Sequence, residues 1–187
     1  MARPRARLSL KGRALQLLAQ RDQSRLELRG KLLRHAAAEA RARAADAEAG
    51  VSAGAESEDE GEGEGEGEGE GGAGDEGDRR HAEVEALLDW LEANRFLSAE
   101  RFAESRVQAR EARFGNRRIR AELAQHGVAL SPEVAQALAE SELQRAAAVR
   151  ERRFQEPPKD AAERAAQARF LAGRGFSPEV IQRVLRR

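Results

Sequence analysis

The sequence predicts an all-α protein of three tandem three-helix repeats, set out as an elongated curved array with a disordered acidic Gly/Glu insertion in repeat one. Three observations predict it. Apolar residues recur at helical spacing in short segments bracketed by capping and breaking residues. Two segments match at an offset of 46 residues, from 131 to 177: His126-Gly127-Val128 then SPEVAQAL, and Arg174-Gly175-Phe176 then SPEVIQRV. Aromatic residues make up only 4% of 187 residues and charged residues 35%. That balance suits thin helical layers burying narrow Leu/Val/Ala stripes, not one deep core.

Taken in order, residues 1–9 form a basic arm. Repeat 1 spans 10–97. Leu10, Ala14, Leu17 and Leu18 share one helix face, and Arg21-Asp22-Gln23 ends that helix. Ser24-Arg25-Leu26-Glu27 reads as a capping box. Leu28 and Leu32 form the buried face of the next helix, with Gly30 a local weakness of about 1 kcal/mol relative to Ala. About 50–78 the chain becomes a Gly/Glu tract that cannot bury apolar surface and repels itself, which predicts disorder. Helix resumes near His81, with Val84, Leu87, Leu88 and Leu91 on one stripe and Trp90 at the seam with a neighbouring helix.

Repeat 2 spans 98–140. Ser98 caps a helix carrying Phe102, Ala103 and Val107 on one face. Phe114-Gly115-Asn116 breaks it. Ile119 and Leu123 follow, and Gly127 stops that helix. Leu130-Ser131-Pro132-Glu133-Val134 starts the next one: a serine cap, proline at the first position, an acid complementing the dipole. Repeat 3 spans 141–187. A separate helix runs through Leu143, Ala147 and Val149 to about Arg153, and Pro157-Pro158 makes a linker. Asp160 begins a helix with Ala166, Phe170 and Leu171. Gly173-Arg174-Gly175 ends it, and Ser177-Pro178-Glu179-Val180 begins the last, with Ile181, Val184 and Leu185 apolar. Repeat 1 follows this plan more loosely: Leu28 and Leu32 correspond to Ile119 and Leu123, and His35 to His126. The resulting count is nine helices, against the competing reading of three unrelated helical hairpins.

The zero net charge conceals segregation. Residues 1–49 carry 12 basic and 5 acidic side chains, residues 50–78 none and 12, and residues 79–187 21 and 16. A basic body and an acidic tether follow. Between Arg101 and Arg120 seven arginines face only Glu104 and Glu111. Arg110, Arg113, Arg117, Arg118 and Arg120 around the Gly115 turn are therefore candidates to hold phosphates or the acidic patches of a protein assembly, since the guanidinium fork matches oxyanions. Arg25, Arg29, Lys31 and Arg34 form a similar cluster in repeat 1, and Arg164, Arg169 and Arg174 a weaker one in repeat 3. The bland alternative is a solvated surface. Phe102, Phe170 and Phe176 fit core positions, and Phe114 and Phe154 are open. The chain thus lacks the interleaved aromatics of a strong single-strand binder. The acidic tract reads as a tolerated insertion, with folding back onto the basic face as the alternative.

Enzyme chemistry finds no foothold. Cysteine is absent, no His/Asp/Glu set has metal spacing, and no P-loop, nucleophile elbow or dinucleotide fingerprint occurs. His35 and His126 read as residues at helix C-termini, favoured there by the dipole. No catalytic residue, metal or cofactor is expected. No apolar run is long enough to span a bilayer, and the N-terminus lacks a signal-peptide core. A cytoplasmic protein without membrane association is expected, and nothing indicates an oligomer.

Three separate pieces in order, ALQLLAQRDQSRLELRGKL (14–32), RFAES…RFGNRRIRAEL and ARFLAGRGFSPEVIQRVL, resemble the RecX regulatory protein family. The resemblance covers nearly everything but the first residues and the acidic tract, which is not part of the family pattern. Gly30 and Arg106 stand where family members often carry a better helix former or a larger apolar residue. The resemblance implies tandem three-helix repeats and a non-enzymatic negative modulator of the RecA recombinase, acting in DNA repair, recombination and the SOS response. Such proteins are thought to lie in the groove of the RecA–single-stranded-DNA filament and limit its assembly, strand exchange and ATP hydrolysis. RecA filament is then the main partner and single-stranded DNA a weak, nonspecific one. Charge and periodicity alone fit equally a RecA-independent, sequence-nonspecific DNA-binding protein, or a helical scaffold for another acidic protein.

Overall fold

The computed structural model describes residues 8–52 and 72–186, with side chains for 8–47 and 75–186. Residues 1–7 of the expected basic arm and 53–71 of the acidic insertion lie outside the described residues. The rest is helix and connection: α1 (Leu10–Gln20), α2 (Arg25–Ser52), α3 (Gly72–Ala93), α4 (Ala99–Glu111), α5 (Asn116–Gln125), α6 (Pro132–Phe154), α7 (Ala161–Gly173) and α8 (Pro178–Leu185). No strand occurs among the described residues.

The capping residues act as their chemistry requires. Ser9, Ser98, Ser131 and Ser177 each accept from the amide three residues on, and Asp160 accepts from Glu163 N–H at 2.7 Å. Gly127 and Gly175, at φ 69° and 83°, turn the chain out of α5 and α7 through the left-handed region that side chains avoid.

The apolar stripes close into three separate cores. Ala14, Leu17, Leu28, Leu32, Val84, Leu88, Leu91 and Leu97 join α1, α2 and α3. Phe102, Val107, Ile119, Leu123 and Leu138 join α4, α5 and the start of α6. Ala146, Val149, Leu171, Phe176, Ile181, Val184 and Leu185 join the end of α6 to α7 and α8. Each fully buried Leu, Ile or Phe contributes about 1.5–3 kcal/mol, so each trio has its own reason to fold.

Eight helices, not nine, build these three trios among the described residues, because α6 serves two of them. The separate helices expected around Val134 and Leu143 are one continuous rod. Nothing between Pro132 and Pro157 breaks a helix, so Leu138 can face the second core and Ala146 the third from a single element. Helix also reaches further into the 50–78 stretch than its composition predicts. α2 continues through alanine-rich sequence to Ser52, and α3 begins at Gly72 rather than near His81. Arg79–Asp75 at 2.6 Å and Arg80–Glu76 at 3.7 Å support that first part of α3 as i, i+4 pairs. His35 is a correction of the same origin: it lies inside α2, not at its end, with Nε2 3.4 Å from Glu39 and 3.4 Å from the Leu8 carbonyl. His126 does cap α5. At Gly30 an added Cβ would meet only the mobile end of Arg34, so nothing in the packing demands glycine there.

Two compact units result. One holds α1, α3 and α2 from Glu27 onward; the other holds Asp22–Leu26 and everything from Ser98. In the first, Trp90 stacks on Phe96 with centroids 5.6 Å apart, and Lys11 of α1 places its ammonium 3.6 Å from the indole centroid. In the second, α6 is shared by both trios, and direct backbone bonds described below weld them together.

Candidate functional site

The weld is where the α4–α5 turn meets the α7–α8 turn. Gly115 is the N-cap of α5 and has no side chain to cap with. The orphan amides of that helix start are satisfied from elsewhere. Gly115 N–H donates to the Arg174 carbonyl at 2.9 Å and Arg117 N–H to the Gly175 carbonyl at 3.1 Å. Asn116 N–H donates to the Glu142 carboxylate at 3.0 Å. An anion at a helix N-terminus is favoured by the dipole, and Glu142 is only 6% exposed.

Arg145 of α6 completes the support. Its guanidinium donates to the carbonyls of Glu111 (3.1 Å), Phe114 (2.8 Å) and Leu138 (3.0 Å) and to Asn116 Oδ1. Desolvation lowers its pKa, opposed by the nearby charges of Glu142 and Glu111. This Asn116–Glu142–Arg145 group holds the turn that carries the arginine cluster. Sequence reasoning missed it, since Asn116 stands 26 and 29 residues from its two partners.

The structure sorts the candidate arginines into two kinds. Arg110 is neutralised: its guanidinium straddles Glu122 of α5, with contacts of 3.0–3.2 Å, and Arg106 adds a contact to the same carboxylate at 3.5 Å. Arg113, Arg117, Arg118, Arg120, Arg169 and Arg174 have no carboxylate within ion-pair distance among the described residues. Arg118 and Arg174 instead reach across the seam to carbonyls, Arg118 to Gly173 and Arg174 to Arg113, each at 3.4 Å. Phe114 lies in their midst, half-buried. Its ring centroid is 4.4 Å from the Arg118 guanidinium, 5.7 Å from Arg174, 5.8 Å from Arg113 and 6.0 Å from Arg110. Arg117 and Arg120 are exposed on α5 and Arg169 on α7. The structure thus brings residues of repeats 2 and 3 to one place, which linear clustering could not reveal.

The repeat 1 cluster is more engaged. Arg29 pairs with Glu85 of α3. Lys31 contacts Glu27 at 2.9 Å, and Arg21 pairs with the same carboxylate. Arg25 is partly covered at the start of α2, and Arg34 is exposed. Burial pulls the Glu27 pKa up, but the hydrogen bonds and charges of Arg21 and Lys31 outweigh it and hold the group at about 2 rather than 4.5. A carboxylate with a lowered folded pKa stabilises fully above its unfolded value and loses that contribution as pH falls through the folded one. Urea midpoints of the native chain therefore fall between pH 4.5 and 2, and Glu27→Gln makes that fall shallower. An equal slope in the variant contradicts the assignment.

Among the described residues no group of His, Asp and Glu is placed to hold a metal, and no helix is long and apolar enough to cross a membrane. What the fold and the seam define is a tandem three-helix-repeat protein whose exposed chemistry is a set of unneutralised guanidinium groups.

Comparison with known proteins narrows this class. Residues 100–138 match the description RecX, second three-helix domain, and residues 140–185 match RecX, third three-helix domain. The boundary between them falls inside α6, the helix the two trios share. The chain is 43% identical to the regulatory protein RecX of Ralstonia nicotianae over 99% of its own length and 91% of the relative. It is 40% identical to that of Herbaspirillum seropedicae over 96% and 90%, and 40% identical to that of Leptothrix cholodnii over 100% and 93%. The chain belongs to the RecX family, whose name is that of a regulator and not of an enzyme.

Proposed function

We propose that this protein is a non-enzymatic cytoplasmic regulator that binds the RecA–single-stranded-DNA filament and restrains RecA recombinase activity. Family membership supports the RecA half of this reading. The observation that carries the binding half is the seam between repeats 2 and 3. There Arg113, Arg117, Arg118 and Arg174 stand with no carboxylate partner among the described residues, while neighbouring Arg110 and Arg106 share Glu122. A fold that ties two arginines to one carboxylate and leaves the adjacent ones open is suited to an external polyanion. Contacts of this kind release counterions, so binding weakens with salt by a slope of about −0.7 per phosphate on single strands.

Charge fits a protein that coats DNA without RecA equally well, and one experiment separates the two readings. The purified protein is added to RecA hydrolysing ATP on single-stranded DNA, and its affinity for the naked strand is measured at the same salt. Suppression of hydrolysis at concentrations too low to coat the DNA is the expected result. Weak binding erased by salt, with hydrolysis unchanged, favours the RecA-independent reading instead.

A further inference from the structure

We propose that Phe114 is the positioning residue of a clamp shared by two repeats, its ring holding the Arg118 and Arg174 guanidinium groups ready for one phosphodiester group of single-stranded DNA. This deepens the DNA-binding half of the proposed function and rests on it. Arg118 comes from α5 in repeat 2 and Arg174 from the turn after α7 in repeat 3. Their charges lie 4.4 and 5.7 Å from one ring centroid, and Arg174 is also 4.9 Å from the Phe170 ring. Two like charges so placed are within about a Debye length of each other, about 10 Å at 0.1 M salt, and repel.

The backbone imposes the arrangement. The Gly115–Arg174 and Arg117–Gly175 amide bonds hold the two turns together, and the turns lie so close that a Cβ added at Gly115 would overlap Gly175. The negative face of the Phe114 ring offsets part of the repulsion. An anion between the two guanidinium groups offsets the rest. Each group donates only one long bond across the seam, at 3.4 Å. Guanidinium carries five N–H donors in a planar fork, so each retains an edge for a phosphate's paired oxygens. Arginine side chains normally lose rotamer freedom when they grip a ligand, and the ring removes much of that freedom beforehand.

A phosphodiester is favoured over a protein carboxylate by the surroundings. Arg113 and Arg117 beside the clamp and Arg120 further along α5 are exposed with no carboxylate partner among the described residues, and this surplus suits a ligand whose charge repeats along a strand. Arg110 is excluded as a ligand group because Glu122 holds it.

The test measures binding of a labelled oligothymidylate to the full chain by fluorescence anisotropy, with the thermal midpoint as a folding control. Pentafluorophenylalanine placed at Phe114 keeps the ring's shape and reverses its quadrupole. It is expected to weaken binding about tenfold with the chain still folded and the midpoint only slightly lowered, while Phe114→Trp binds at least as tightly as the native chain. The double variant Arg118→Gln with Arg174→Gln is expected to weaken binding at least as much. If the fluorinated chain binds like the native one while the double variant is impaired, the ring's role is overturned and the DNA-binding reading stands. If the double variant binds oligothymidylate normally, the clamp is overturned and this seam is not the DNA site. Loss of polyglutamate binding in that variant, with oligothymidylate unaffected, overturns the phosphodiester in favour of an acidic protein.

Discussion

Gly115→Ala is expected to open the seam between repeats 2 and 3 and to destabilise the second unit by about 3–5 kcal/mol, since a rigid backbone overlap exceeds ordinary core overpacking. The added Cβ would overlap the Gly175 carbonyl and the Phe176 amide nitrogen, which are backbone atoms and cannot rotate away. The two amide bonds of the seam are lost with it, at about 1 kcal/mol each. Gly115 has φ −81°, so nothing in its own conformation calls for glycine; the demand is purely one of space. Gly127 is the complementary control. A Cβ there meets nothing within 4 Å, but φ is 69°, so Gly127→Ala costs only the left-handed strain of about 1–2 kcal/mol. Gly175 combines a φ of 83° with Arg118 Cβ only 2.5 Å from an added Cβ. Urea denaturation of the three variants is therefore expected to rank Gly175→Ala and Gly115→Ala far below Gly127→Ala. Equal midpoints for Gly115→Ala and the native chain would show that the two turns are not in contact.

Arg145→Met is expected to destabilise the same unit by about 3–5 kcal/mol, because several half-buried charge-assisted hydrogen bonds, each contributing about 1.5–3 kcal/mol, go together. The carbonyls of Glu111 and Phe114 and the amide oxygen of Asn116 lose this donor together, while the Leu138 carbonyl keeps Asn116 Nδ2 at 3.0 Å. Glu142, only 6% exposed, loses the neighbouring cation as well. Methionine restores the bulk of the alkyl stem, so the loss reads on the polar head and not on a cavity. Arg145→Lys is not expected to rescue, because a single ammonium cannot reach acceptors spread around a planar fork. Urea unfolding of both variants checks this, and a lysine variant as stable as the native chain contradicts the fork's role.

Local signals carried far in this chain. Ser98, Ser131, Asp160 and Ser177 each cap the helix their side chains announce, because a cap is decided within four residues. The SPEV repeat marks two equivalent helix starts for the same reason. Joining elements was harder. The absence of any breaker from Glu133 to Glu156 was itself a signal for one α6, but dividing the chain by its repeat period hid it. Transferring His126's position to His35 failed similarly, since the alanine-rich stretch after His35 continues the helix where Gly127 ends it.

The seam was legible only as charge. Arg110 and Arg118 look alike in sequence, and what distinguishes them is Glu122, 12 residues beyond Arg110 on the next helix. Phe114's place among four arginines depends on Arg174, 60 positions later, which no local pattern connects to it. The glycines of the two turns were visible as breakers. That one turn rests directly on the other was not.

Under the proposed function, restraint of RecA runs through these open arginines. The measurement that tests it most directly titrates RecA's ATP hydrolysis on single-stranded DNA with the native chain and with a variant carrying glutamine at Arg113, Arg117, Arg118 and Arg174, both confirmed folded by their thermal midpoints. The native chain is predicted to suppress hydrolysis, and the variant to need at least about tenfold more protein for the same effect, as the loss of a single charge-assisted contact would already require. Equal suppression by the two proteins would contradict the account.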